Sequence, residues 1–178
     1  MVDQIKKISP NFWVLTLMVF VVAFVRLLPH PPNFAPITAM ALFGGAYFNK
    51  KSFAFIIPLA ALFLSDVVIG IYSYAWMVYI SFALIVLLGI VMLKKVSVKN
   101  LIIASVTASI SFFAITNLGV WALGTLYPKT PAGLMASYIA AIPFFQNSLL
   151  GDLFFVGVMF GVYELIKHKV PALAKVKA

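Results

Sequence analysis

Five apolar runs dominate the chain, at residues 11–28, 52–71, 74–93, 100–123 and 148–166, separated by short breaks rich in Lys, Pro, Asn and Gly. Each is close to the roughly 20 mostly apolar residues that a transmembrane helix needs. A sixth run, 36–48, is short. It either spans with its flank from residue 33 or turns back as a re-entrant hairpin. The lysines decide between these, because cytoplasmic loops carry an excess of Lys and Arg. With 33–48 spanning, Lys6, Lys7, Lys50, Lys51, Lys94, Lys95, Lys99, Lys167, Lys169, Lys175 and Lys177 fall on one side. Only Lys129 then lies in an outer loop, and Arg26 sits near the outer end of a helix. A re-entrant segment would send Lys94, Lys95, Lys99 and the C-terminal cluster across. The pattern predicts an all-α polytopic membrane protein with six transmembrane helices, both termini in the cytoplasm, and a single transmembrane domain over 1–178. The stretch 137–167 is too long for one span. Thr130 is placed to cap a helix with Pro131 at its first position, and Pro143 to break it. This predicts an outer interfacial helix over 131–142, a turn, and then span six.

Composition agrees. Of 178 residues, 64% are hydrophobic and 10% charged, where soluble domains hold about 45–50% and 25%. A lipid bilayer is therefore the first partner. The formal charge of +9 follows from the one-sided lysines, so no nucleic-acid partner is expected. The chain has no cysteine, which excludes disulfides, thiolate metal sites and a cysteine nucleophile. The first apolar run exceeds the roughly 7–15 residues of a signal-peptide core, and no A-x-A-type cleavage site follows. It reads as a retained start-transfer span.

The polar residues within the grease are not spread evenly. At about 1.5 Å per helical residue, Arg26 lies about 22 Å above Asn11, Asp66 about 21 Å above Ser52 and Asn117 about 25 Å above Asn100. Asp152 falls one turn inside the outer end of span six, and His30, Asn33, Gln146 and Asn147 fall in outer loops or helix ends. The outer third is polar and the inner two-thirds almost purely apolar, which predicts a pocket open to the outside. In "RLLPHPPNFAPITAMALFGGAYF", Pro29, Pro31 and Pro32 stiffen an extended loop and hold His30 out of the helical region, making a lid or a wall. Intramembrane charges mark function or pair internally. Arg26 can snorkel to headgroups, pair with Asp66 or Asp152, or touch a ligand. Asp66 can line the pocket or complete an ion pair. Asp152 can line the pocket or favour the dipole of an opening helical turn. Asn117 and Trp121 lie four apart on one helix face, though Trp121 also suits an interfacial belt, as do Tyr72, Tyr74, Trp76, Tyr79, Tyr127 and Tyr138, whose number exceeds what anchoring needs and leaves some to line a cavity.

Small residues at Gly44 and Gly45, at Ala104 and Ala108, and at Gly157 and Gly161 suit close helix packing within the chain. Glu164 reads as a solvated partner of Lys167 or His168. There is no HExxH, His cluster, Walker motif or Ser-x-x-Lys, and no carboxylate lies in the inner half to relay protons across the bilayer. The chain reads as an outward-facing receptor and not an enzyme, with no cofactor and a small molecule as its substrate.

Six short helices, both ends inside and an outward pocket resemble the S-components of energy-coupling factor vitamin transporters. "PPNFAPITAMALFGGAYF", "LSDVVIG" and "FFQNSLLGDLFFVG" look like a bacterial family related to the solitary cobalamin-type members. The resemblance implies a bacterial cytoplasmic membrane, capture of a vitamin from outside, and translocation by toppling of the bundle. A corrinoid would be substrate, not cofactor. His30 and Asp66 match polar positions around the corrinoid in that family, and Tyr79 matches less closely. Two features depart from the pattern. Cobalamin-type solitary members use a cysteine to ligate cobalt, for which only His30 offers an alternative here. The first span lacks the Ala-x3-Ala motif that docks on a shared coupling module, so the protein works alone or docks through another face, such as Ala35, Ala39 and Gly44. The alternatives to a receptor are a small membrane enzyme acting on a lipid-linked substrate, with Asp66 and Asp152 converging on a metal, or an accessory protein that stabilises a partner.

Overall fold

A computed structural model describes residues 10–71, 73–170 and 173. Lys6, Lys7, Tyr72, Lys175 and Lys177 lie outside the described residues. Six α-helices are present among the described residues: α1 (Pro10–Val25), α2 (Ile37–Tyr47), α3 (Lys51–Ile69), α4 (Ala75–Met92), α5 (Val98–Leu123) and α6 (Pro131–Lys169). Four of them, α3 to α6, are long and apolar enough to cross a membrane, while α1 and α2 are shorter apolar helices. On α1 the buried side is Asn11, Leu15, Val19 and Ala23. The opposite side presents Trp13, Leu17, Val21 and Phe24 at 54–66% exposure. Both faces are apolar, so this helix suits lipid on one side and packed protein on the other.

The helices alternate in direction. Phe12 of α1 meets Phe48 and Phe53 beyond α2 and at the start of α3, and Tyr163 near the end of α6 donates to Asn11 at 2.7 Å. One end of the bundle therefore collects Lys50, Lys51, Lys94, Lys95, Lys99, Lys167 and Lys169. The other collects Arg26, His30, Asn33, Asp66, Asn117 and Lys129.

α2 is the axle. Every residue from Thr38 to Gly45 is buried, and the helix touches all five others. At about 1.5 Å per residue its 11 residues reach about 16 Å, half of a hydrocarbon core of about 30 Å. Its closest neighbour is α4. A Cβ on Gly45 would stand 2.3 Å from the Val86 carbonyl oxygen, and one on Gly89 would stand 2.7 Å from that of Leu42. Two glycines thus let the backbones touch where larger residues would force them apart. Ala104 and Ala108 of α5 are also fully buried. Gly157 and Gly161 have no neighbour within 4 Å of a built Cβ and line an open groove beside the start of α5.

Two expectations are corrected. Pro143 does not end a helix at residue 142: α6 runs unbroken from Pro131 to Lys169 over 39 residues. There is no separate interfacial helix and no turn before residue 148. An interior proline costs about 3 kcal/mol in an isolated helix, but here both sides of it are tied to α5. Tyr138 donates to the Ala114 carbonyl at 2.7 Å, and the Phe145 ring stacks obliquely on Phe113 with centroids 4.8 Å apart. Tertiary contacts override the local break, as they do at Pro58 inside α3. Thr130 accepts a hydrogen bond from the Gly133 amide at 3.2 Å, with Pro131 in the first turn. The docking face suggested at Ala39 and Gly44 is not available, since both are buried, Gly44 against Pro58.

Candidate functional site

Where α1 ends, the chain turns outward and crosses the mouth of the bundle as the loop 26–36. Phe34 donates its amide to the Pro31 carbonyl at 3.0 Å, with Pro32 second in the turn and Asn33 third at φ 62°. A turn with a left-handed third residue favours Gly or Asn there and Pro before it, so "PPNF" encodes its own bend. α6 fastens the loop. Asn147 donates to the Pro32 carbonyl at 3.1 Å, and Phe34 lies against Phe155 and over Gly151, where a Cβ would stand 3.2 Å from its Cα.

Beneath the loop lies a cavity of about 520 Å³. Its polar lining comes from the loop and three helices: Arg26, His30 and Asn33 from the loop, Thr38 from α2, Ser109, Thr116 and Asn117 from α5, and Ser148 and Asp152 from α6. Phe112, Phe113, Phe144 and Phe145 supply an aromatic wall. The size falls within the roughly 300–1,000 Å³ of small-molecule sites.

Of the ten candidate residues, Arg26, His30, Asn33, Asn117 and Asp152 border this cavity. The other five do not. Asp66 stands one layer behind the wall. Its Oδ1 accepts from Arg26 at 2.7 Å and its Oδ2 from Tyr79 at 2.8 Å. Arg26 also donates to the Leu62 carbonyl at 3.3 Å and to the Ser65 hydroxyl. The side chains of Arg26 and Asp66 are 9% and 1% exposed, so this is a buried ion pair joining the end of α1 to α3 and, through Tyr79, to α4. Trp121 is not among the residues that line the cavity. Its indole donates to the Pro128 carbonyl at 2.9 Å, and Lys129 sits over its ring at 5.9 Å, closing the α5–α6 connection. Gln146 is exposed on α6, and Asn147 is the loop fastener described above.

Asp152 differs from Asp66. It lies in the middle of α6, far from that helix's first turn, so the opening-turn dipole reading does not apply to it. It is 4% exposed and accepts from the Ser109 hydroxyl at 2.6 Å, with the Thr38 hydroxyl beside it. Among the described residues the ion pairs are Arg26–Asp66 and Lys167–Glu164, and neither serves Asp152. His30 bonds locally to the Leu28 carbonyl at 2.6 Å. The Asn117 amide donates to the Phe113 carbonyl at 2.8 Å, and the residue is part of the cavity lining.

Thr38, Ser109, Thr116 and Ser148 were not singled out from sequence. Hydroxyls in apolar helices usually bond back one turn, as Thr116 does to Phe112 at 2.7 Å. Only the assembled bundle shows which of them share a hollow. At the lysine-rich end, Glu164 pairs with Lys167 at 2.9 Å and also accepts from Tyr47 at 2.7 Å, so it is part of the packed end and not simply solvated.

No curated protein matches the chain. No solved structure matches it either. A family model does match, over residues 6–173, nearly the whole sequence. On that match the chain belongs to the family described as "Family of unknown function (DUF6580)".

Proposed function

We propose that this protein is the substrate-binding membrane subunit of a micronutrient uptake system, crossing the bacterial cytoplasmic membrane six times with both termini inside. The observation that carries the reading is the position of the cavity. It lies at the end of the bundle opposite Lys50, Lys51, Lys94, Lys95, Lys99, Lys167 and Lys169. The positive-inside rule puts the lysines in the cytoplasm, which turns the mouth toward the exterior. A polar-lined hollow above an apolar floor suits a receptor that captures a solute from outside.

The reading agrees with the vitamin S-component resemblance in helix number and in the side on which the pocket opens. It leaves the energy source to a coupling ATPase module or to the protein acting alone. A vitamin-sized molecule fits the volume. A corrinoid is larger than the drug-sized ligands of such sites, and it would need to stand partly outside the mouth with His30 at its edge.

The metal-enzyme alternative needs Asp66 and Asp152 to face one another across a site. Both oxygens of Asp66 are engaged by Arg26 and Tyr79, which favours the receptor over that alternative. An accessory protein with a solid core would not need the hollow.

Two measurements test the proposal. Native mass spectrometry of the protein released gently from membranes should show a retained small molecule. Cells dependent on external vitamins and relying on this protein should lose uptake of one of them when Asn117→Ala is introduced, at unchanged protein abundance. If no vitamin's uptake changes, in this variant or on deletion of the whole chain, the receptor reading falls.

A further inference from the structure

Resting on that reading, the same cavity points to the chemistry of its guest. Asp152 is a buried carboxyl on the cavity wall whose partners are hydroxyls, Ser109 at 2.6 Å and Thr38. A carboxylate in the membrane is costly unless something of opposite charge answers it. The nearest fixed cation on the lining, Arg26, is spent on Asp66 and on the Ser65 hydroxyl and Leu62 carbonyl. The charges of Arg26 and Asp66 cancel, and among the described lining residues Asp152 is the remaining acid. Phe112, Phe113, Phe144 and Phe145 share the lining with it. Aromatic faces attract cations and flat rings.

We propose that the cavity binds a small, flat organic cation, with a protonated nitrogen on the Asp152 carboxylate and an unsaturated ring against the phenylalanine wall. Ser109 and Thr38 hold the carboxylate in place, and the Asn117 side chain offers an acceptor to a second N–H. An anion has a weaker case. Arg26 and the first turn of α2 would attract it, but Asp152 stands beside that turn at Thr38 and repels it.

Three probes sharing a phenethyl group separate the possibilities: phenethylammonium, 3-phenylpropionate and 2-phenylethanol. Thermal unfolding of the purified protein in detergent, followed by tryptophan fluorescence, reads their binding. Phenethylammonium should raise the midpoint more than the other two. Asp152→Asn should raise the concentration needed for half the effect by about tenfold or more, the value of one charge-assisted hydrogen bond, and Asp152→Glu should keep most of it. If Asp152→Asn does not fold, Phe113→Leu serves instead: it should weaken the ammonium more than the alcohol, because the ring is lost while the apolar volume is nearly kept.

The assignment is overturned by phenylpropionate stabilising as well as the ammonium or better, by an unchanged ammonium response in Asp152→Asn, or by no response to the ammonium at millimolar concentration. Failure here leaves the uptake reading standing with a different guest. Ammonium binding without any vitamin-uptake phenotype would instead sink the uptake reading and keep the cation site.

Discussion

Removing the carboxylate of Asp66 would leave the Arg26 guanidinium buried with a hydroxyl and a carbonyl but no counter-charge. Breaking a buried pair from one side costs about 3–5 kcal/mol. Asp66→Asn and Arg26→Met should therefore each lower the unfolding midpoint strongly. The double variant Arg26→Met with Asp66→Leu should recover much of the loss, because it removes both charges together. A thermal melt in detergent checks this, and a double variant as unstable as the sum of the singles would show that the pair is not the cause. Loss of uptake in Asp66→Asn should then track loss of folded protein. Asn117→Ala, by contrast, should affect uptake at unchanged abundance. At this scale the sequence was legible in one respect: charges so costly in lipid had to be paired or functional, and both outcomes were open for Arg26, Asp66 and Asp152. Which carboxylate took which part was not legible, because it depends on helix rotation. Arg26 reaches Leu62, Ser65 and Asp66 on a single face of α3, and no spacing within α1 fixes that choice.

Between helices, the glycine contact of α2 with α4 carries a sharper expectation. Gly45→Val would drive side-chain atoms into the Val86 carbonyl, itself part of the α4 backbone, where little can give. It should destabilise by several kcal/mol, as overpacking of a tight core does at its upper end. Gly161→Val points into open space and should be tolerated, with a midpoint close to that of the parent. Equal effects at both positions would contradict the packing described. The ends of α3, α4 and α5 were readable to within about two residues, since lysines and glycines punctuate them. The continuity of α6 was not. Pro143 gives a strong local signal, and the hydrogen bond from Tyr138 and the ring contact of Phe145, both to α5, explain why it fails to stop the helix. The sequence also could not distinguish α2 as central, because a helix buried in protein and one facing lipid are equally apolar.

Across the whole molecule, the segregation of charge predicts the orientation. The chain has no native cysteine, so single cysteines can be placed without background. Lys95→Cys and Lys169→Cys should react with an impermeant maleimide only after the cells are opened, whereas Thr125→Cys should react in intact cells. The reverse labelling would put the cavity on the cytoplasmic face and end the receptor proposal. The same segregation made an all-helical apolar bundle and its polar end readable from the sequence. The volume and walls of the hollow were not readable, since they arise from a loop and from five helices brought together over more than a hundred residues of sequence.

α2 has a further consequence, for biogenesis. It leaves the ribosome ahead of α3 to α6, the helices that will enclose it, and by itself it reaches only about half the depth of the bilayer. Until those later segments arrive it has no stable place in lipid, so the insertion machinery has to retain it. Nascent chains stalled after residue 100 should still crosslink to the translocon through α2, and completed chains should have let it go.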